Sequence, residues 1–166
     1  MSLDGYIAKS DGDISFLSKV EKEGEDYGYS DFIKTIDSII VGRKTYDKAL
    51  SLGFEYPDQD KDIYVITRTL KPDHGKLKYY SGPLNNLISE LKNKHGSNIF
   101  CDGGSEIINE LLHYNLIDEF IISIIPIILG DGISLFKNGR PRLNLKLVNC
   151  EKFGTGLVQL HYVKLD

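Results

Sequence analysis

Three short apolar runs in the first two thirds of the chain each lead directly into a polar or glycine-containing loop. The runs are Ile39–Val41, Ile63–Ile66 and Ile99–Cys101. Each is too short for a helix and rich in β-branched residues, which is typical of a strand that is covered on both faces. Because a helix or turn pattern follows each run, the sequence predicts neighbouring parallel strands of an α/β fold.

Amphipathic helices are predicted between and after these strands. Apolar residues recur there at the i, i+3, i+4, i+7 spacing that places them on one helix face. The three stripes are Tyr29, Phe32, Ile33 and Ile36; Leu84, Leu87, Ile88 and Leu91; and Ile107, Ile108, Leu111 and Leu112. Pro83 precedes the second stripe, and proline suits a helix start because the first turn needs no N–H donor from it.

The pattern changes after residue 118. The apolar run Phe120–Leu129 is interrupted by Pro126, which indicates an edge strand or a bulge. Leu143–Leu147 and Val158–Tyr162 alternate apolar with polar residues on either side of a turn at Gly154–Gly156, and this arrangement predicts a β-hairpin. No linker or repeat divides the chain, so residues 1–166 are expected to form one domain with a mostly parallel sheet and an antiparallel C-terminal hairpin.

Composition narrows the possible functions. Twenty basic and 24 acidic residues give a net charge of −4, so the chain lacks the basic surface that nucleic-acid binding needs. No stretch approaches the roughly 18 apolar residues of a membrane span, and no signal pattern opens the chain, so a cytoplasmic location is expected. The cysteines and histidines lack the spacing of metal ligands, and no metal is expected. They are Cys101, Cys150, His74, His95, His113 and His161.

The loop after the third apolar run is the first of three candidate anion sites. Ligands of open α/β sheets bind outside the carboxyl ends of the strands, where this loop is expected to lie. Gly103 and Gly104 let the backbone approach a ligand closely, and a helix that opens with Ser105, Glu106 and Ile107 offers free N–H groups to a phosphate. A glycine pair that merely turns a strand into a helix would have the same sequence.

The other two strand ends carry cations. Gly42-Arg43-Lys44-Thr45 places positive charge at a helix start, where the helix dipole disfavours it unless an anion is bound. Thr67-Arg68 follows the next strand, and the planar guanidinium can hold a phosphate through two hydrogen bonds. Any one of these cations alone would be interpreted as a solvated surface residue, but three anion sites at neighbouring strand ends predict a ligand with several phosphates, such as a dinucleotide.

Several motifs that would indicate other enzyme classes are absent. No G-x-G-x-x-G follows a strand, and no P-loop occurs, which argues against a Rossmann dehydrogenase and a nucleotidase. There is no G-x-S-x-G elbow, which argues against a hydrolase of that type.

Five segments occur in a defined order along the chain. They are Met1–Ala8, Val41–Tyr46, Thr67–Leu70, Gly103–Gly104 with its helix, and Ile125–Gly132 with Leu135-Phe136. Together they resemble the dihydrofolate reductase-like superfamily, and they are most similar to stand-alone relatives of the riboflavin-biosynthesis (RibD C-terminal) reductase domain. The resemblance spans almost the whole chain and implies a three-layer α/β fold of that type.

The same resemblance implies that the dinucleotide is NADPH. Gly42–Thr45, Thr67 and Arg68 would surround the adenosine phosphates, and Gly103–Ile107 would surround the pyrophosphate. These residues coincide with the anion sites inferred from the strand ends.

The resemblance also implies roles for the N-terminal segment. Ile7 and Ala8 would lie beside the nicotinamide, and Asp11–Phe16 would correspond to a mobile loop that covers it. Asp4 is the candidate catalytic or substrate-orienting carboxylate. An aspartate before Gly5 can instead hydrogen-bond its own turn, and the sequence leaves both roles open.

The expected reaction is hydride transfer from NADPH to a C=N or C=O bond of a small heterocycle that is pterin-like, pyrimidine-like or similar to a riboflavin precursor. A noncatalytic nucleotide-binding or regulatory domain and a flavin-binding reductase remain alternatives. A homodimer joined through the C-terminal strands is expected, because Phe120–Leu129 and the hairpin carry more apolar surface than one helical layer covers.

Overall fold

The computed structural model describes residues 1–54, 56, 61–94 and 98–165. They form two compact units, which we name after their sheets. The parallel unit is Gly28–Tyr114, and the antiparallel unit is Met1–Tyr27 together with the chain from Asn115 onward. The expectation that residues 1–166 form one domain stays a prediction.

Strands and helices are numbered in chain order. The strands are β1 (Tyr6–Ala8), β2 (Ser38–Gly42), β3 (Asp62–Ile66), β4 (Leu77–Tyr80), β5 (Ile99–Gly103), β6 (Glu119–Ile124), β7 (Ile133–Ser134), β8 (Leu145–Lys152) and β9 (Val158–Lys164). The α-helices are α1 (Tyr29–Lys34), α2 (Arg43–Ser51), α3 (Leu84–Lys92) and α4 (Ser105–His113), and a 3₁₀ helix covers Ser15–Val20.

The parallel unit contains a four-stranded sheet in the order β4-β3-β2-β5, and every pair in it is parallel. The three predicted strands, β2, β3 and β5, are confirmed. Ile39, Ile40 and Val41 of β2 are each 0% exposed, so this central strand is covered on both faces, as its unbroken apolar run predicts.

The sequence pattern does not predict β4. Its residues read Leu-Lys-Tyr-Tyr and are all half-buried. Because β4 pairs with β3 alone at the edge of the sheet, its long polar side chains reach water while its backbone completes the ladder. Its two tyrosines favour a strand, but four residues without β-branched side chains or clear alternation leave the assignment ambiguous.

The three predicted helices are confirmed as α1, α3 and α4, although Tyr29 of the first stripe is exposed. The second stripe is buried in α3, where the exposure of its four leucine and isoleucine side chains is at most 4%. In α1, Phe32 and Ile33 pack against the core of the parallel unit, and Ile36 joins that core just beyond the end of the helix.

The antiparallel unit contains a three-stranded sheet in the order β6-β9-β8 and the short antiparallel pair β1-β7. The predicted hairpin is confirmed as β8 and β9, which turn through residues 153–157. The apolar run predicted over residues 120–129 is a strand only as far as Ile124, two residues before Pro126. Proline has no N–H to contribute to a ladder, so the strand ends before it.

Candidate functional site in the parallel unit

Three strand ends of the parallel unit lie along one edge of its sheet. β2 is the direct neighbour of both β3 and β5, and all three run in the same direction. The loops that follow them therefore occupy the same edge. The structure thus brings the three predicted anion sites together at the carboxyl ends of the strands, the usual place of a ligand in such a sheet.

The loop after β2 and the loop after β5 are in direct contact. A Cβ atom built on Gly42 would lie 3.2 Å from Ile107 Cγ1 and 3.4 Å from the backbone nitrogen of Gly104. A Cβ built on Gly104 would lie 2.8 Å from Thr45 Oγ1, closer than real Cβ atoms come to a heavy atom. Glycine at both positions is what lets these two strand-to-helix junctions meet.

Two helices begin at this contact. α2 starts after Gly42 and α4 after Gly104, so the N-cap residue of each helix is a glycine, which has no side chain to cap the helix. The peptide bond between Gly103 and Gly104 is cis. The N–H groups and the dipole at a helix start favour an anion, so both starts are suited to a phosphate.

The predicted cations lie at the surface beside these helix starts. Lys44 and Arg68 are exposed. Arg43 is also exposed, but its Nε lies 3.3 Å from Oδ2 of Asp47, one turn further along α2. Asp47 thus already offsets part of the unfavourable charge that Arg43 places at the helix start, and the conflict that suggested a bound anion is smaller than the sequence implies.

The remaining predicted polar residues shape the loops. Thr67 is buried, and its hydroxyl both donates to the Thr69 carbonyl and accepts from the Thr69 N–H, each at 3.1 Å. Ser105 is buried at the start of α4, where Asn109 Nδ2 donates to its carbonyl oxygen at 2.7 Å. Glu106 is exposed in the first turn of the same helix.

The N-terminal candidates belong to the antiparallel unit. Ile7 and Ala8 are in β1, which pairs with β7, and their predicted place beside a nicotinamide stays a prediction. The loop predicted over Asp11–Phe16 is shorter, because the 3₁₀ helix begins at Ser15. Asp13 accounts for this early start, since its carboxylate accepts the Ser15 N–H at 2.9 Å.

Both carboxylate oxygens of Asp4 accept hydrogen bonds from a backbone segment that is distant in the sequence. Oδ2 accepts the Gly130 N–H at 2.7 Å, and Oδ1 accepts the Leu129 N–H at 3.1 Å. Its hydrogen bond with the Ser2 side chain, and then those with Gly130 and Leu129, hold the pKa of this exposed carboxyl below its ordinary value. Asp4 therefore bonds a segment about 125 residues away as well as Ser2 and its own backbone N–H in the local turn, and its catalytic role stays a prediction.

Asp102, at the end of β5, is a candidate that the sequence analysis does not single out. Its Oδ2 accepts the Tyr56 hydroxyl at 2.7 Å, and burial raises the pKa of its carboxyl. A carboxyl whose pKa is raised at a strand end, directly before Gly103, is typical of a functional site. The only signal in the sequence is an aspartate that interrupts an apolar strand just before a glycine pair.

In the part of the chain that the structure describes, no three or more His, Cys, Asp and Glu side chains form a group that could hold a metal ion. No described helix is long and apolar enough to cross a membrane. His95 lies outside the described residues. The absence of a metal and the cytoplasmic location stay predictions.

Similarity to known proteins gives an independent view of the chain. The family model of the RibD C-terminal domain matches residues 1–159. Uncharacterized protein YwjB of Bacillus subtilis is 42% identical over 167 residues, which cover 99% of this chain and 94% of that protein.

Solved structures agree with that match. A Shewanella sp. PV-4 protein, provisionally assigned to riboflavin biosynthesis, has a TM-score of 0.89 and 30% identity, covering 100% of this chain and 96% of that one. RibD of Acinetobacter baumannii has a TM-score of 0.68 and 16% identity over 99% of this chain and 55% of its own, and so supports the fold alone.

These similarities confirm the predicted α/β fold of the dihydrofolate reductase-like type. They extend over the strand ends, the glycine junction and the N-terminal segment rather than over one motif. The chain belongs to the RibD C-terminal domain family.

Proposed function

We propose that this protein is an NADPH-dependent reductase that transfers a hydride to a C=N or C=O bond of a small heterocycle that is pterin-like, pyrimidine-like or similar to a riboflavin precursor. Family membership supports a reductase-like role. The observation that carries the proposal is the contact between Gly42 and Gly104, where two helices with glycine N-caps begin and Arg43 and Lys44 are exposed.

The residues at this contact fit the phosphates of a dinucleotide. Gly103–Ile107 would hold the pyrophosphate through the N–H groups that open α4. Gly42–Thr45, with Thr67 and Arg68, would hold the adenosine phosphates, and the exposed guanidinium groups suit the dianionic 2′-phosphate. NADPH supplies the hydride when bound, and the protein orients the two reactants and provides a proton.

Two carboxyl groups are candidates for the remaining chemistry. Burial raises the pKa of Asp102, so a larger share of it carries a proton near neutral pH, and we assign it the role of proton donor. Asp4 has a lowered pKa and is ionised near neutral pH, so its proposed role is to orient the substrate as an acceptor of hydrogen bonds.

Titration of NADPH and NADH tests the cofactor assignment. The two differ only by the 2′-phosphate, and one charge-assisted hydrogen bond contributes about 1.5–3 kcal/mol, or roughly tenfold or more in affinity. We expect Arg43→Ala and Arg68→Ala each to weaken NADPH by about tenfold and to change NADH little, as measured by calorimetry. Arg142→Ala is the control, because Arg142 is an exposed arginine of the antiparallel unit.

Equal losses for both cofactors would mean that these arginines act on the fold. NADPH oxidation with a panel of pterins, quinones and ribosylaminopyrimidines then tests turnover. Cofactor binding without any turnover would favour a regulatory domain, and a yellow purified protein would favour a flavin-binding reductase.

A further inference from the structure

Tyr56 is held in place independently of the carboxyl group that it contacts. In the sequence it follows α2 and precedes β3. Its ring stacks on Tyr46 of α2, with centroids 5.3 Å apart and planes inclined by 25°. Both rings pack against the buried core of the parallel unit. Such a pair loses little freedom when it forms a further hydrogen bond, so the hydroxyl of Tyr56 occupies a defined position.

The two oxygens of Asp102 are not equivalent. Oδ2 accepts the Tyr56 hydroxyl, whereas Oδ1 has no hydrogen bond with any described residue. Oδ2 is therefore occupied by the protein, whereas Oδ1 is the oxygen whose hydrogen-bonding capacity no described residue uses.

We propose that Tyr56 is a positioning residue, which fixes the Asp102 carboxyl so that Oδ1 is the oxygen that delivers a proton to the substrate. The inference rests on the proposed reductase function. Since Oδ2 already accepts a hydrogen bond, the acid form carries its proton on Oδ1. The Oδ1–H bond then breaks, the proton goes to the nitrogen or oxygen of the reduced double bond, and the electron pair stays on the carboxylate until water returns a proton.

Burial and the titratable groups around Asp102 keep the Tyr56 hydroxyl protonated, so that it always donates its hydrogen bond to Asp102. Tyr29 of α1 and Tyr46 of α2 face Tyr56, and Cys101 precedes Asp102 on β5. Burial, and then the neighbouring negative charge of Asp102, raise the pKa of Tyr56 well above its usual value. The phenol therefore stays protonated and always donates. Because this bond stabilises the carboxylate, it lowers the pKa of Asp102 against the effect of burial.

Tyr56→Phe tests the inference, with Tyr46→Phe as the matched control. Both variants keep the stacked rings and remove one hydroxyl, but only the first removes the bond to Asp102. The Asp102 carboxyl is titrated by ¹³C NMR without cofactor or substrate, and the pH dependence of kcat is measured separately. In Tyr56→Phe the pKa of Asp102 should rise by about one unit, and kcat should fall about tenfold with the KM for NADPH unchanged.

The sign of the pH effect distinguishes positioning from a structural role. A proton donor works while protonated, so activity is full below its pKa and falls as the pH rises through it. Tyr56→Phe should therefore move the alkaline limb of kcat to higher pH, and Tyr46→Phe should leave the limb in place. An unchanged Asp102 titration in an active Tyr56→Phe variant overturns this inference alone. A wild type that reduces nothing refutes the proposed function and, with it, the catalytic part of the inference.

Discussion

The parallel unit and the antiparallel unit contain the same residue type, a candidate catalytic aspartate, in opposite surroundings. Asp102 is at the end of a parallel strand, where burial raises its pKa and Tyr56 donates a hydrogen bond to one of its two oxygens. Asp4 is exposed, has a lowered pKa and gives both oxygens to backbone N–H groups. The comparison shows that environment, rather than residue type, decides which carboxyl can donate a proton and which can only accept hydrogen bonds.

The surfaces of the two units differ in the same way. The parallel unit buries its central strand completely and presents helix starts and cations at one edge of its sheet. In the antiparallel unit, the core formed by Phe16, Val20, Ile125 and Leu157 includes no residue of β8, and all eight β8 residues are exposed. One unit therefore offers features suited to a charged ligand, and the other offers a strand with three exposed apolar side chains, Leu145, Leu147 and Val148.

The largest effect is expected from Asp102→Asn. Asparagine keeps the shape of the side chain and can still accept the Tyr56 hydroxyl, but it has no acidic proton, and general acids contribute roughly 100-fold or more to a rate. We expect kcat to fall by about 100-fold, with NADPH affinity retained, as measured by steady-state kinetics and calorimetry. Asp118→Asn, an exposed carboxyl of the antiparallel unit, is the control. Turnover close to that of the wild type would remove Asp102 from the mechanism.

A smaller effect is expected from Asp4→Asn. If Asp4 orients the substrate, loss of its charge should lower kcat/KM by about tenfold, because a hydrogen bond to a charged group is replaced by a neutral one. Cofactor binding should be nearly unchanged. The melting temperature is measured on the same samples. Normal turnover with a lower melting temperature would assign Asp4 to anchoring the backbone of Leu129 and Gly130 instead.

The smallest effect on activity is expected from changes to the homodimer, and these changes test the comparison between the surfaces of the two units. We propose a homodimer that forms through the C-terminal strands, since Leu145, Leu147 and Val148 of β8 are between 40% and 53% exposed. Sedimentation at micromolar concentration should show a dimer. Leu147→Lys should weaken it, whereas Leu52→Lys, at an exposed position of the parallel unit just beyond α2, should not. A wild type that sediments only as a monomer would contradict the proposal.

The sequence by itself determined the elements whose signals are local. The apolar runs of β2, β3 and β5 and the stripes of α3 and α4 each require burial on a defined side, so the spacing of apolar residues specifies strand or helix. The glycine pair before α4 likewise indicated a close backbone approach, because few other residues permit one. Once parallel strands are inferred, the loops that follow them must lie at the same edge of the sheet, where ligands usually bind. The residues of these loops could therefore be named as predicted anion sites from the sequence.

Tertiary structure alone decided the features that depend on partners far away in the sequence. The strand β4 exists because β3 supplies a ladder to an otherwise ambiguous run. Tyr56 and Asp102 are 46 positions apart, and Asp4 bonds to backbone about 125 positions away. No periodicity records such contacts, and burial and hydrogen bonding, which set the pKa of each aspartate, follow from them. The sequence thus predicts where a ligand binds, but only the folded chain distinguishes a carboxyl whose pKa is raised by burial from one whose pKa is lowered by hydrogen bonds.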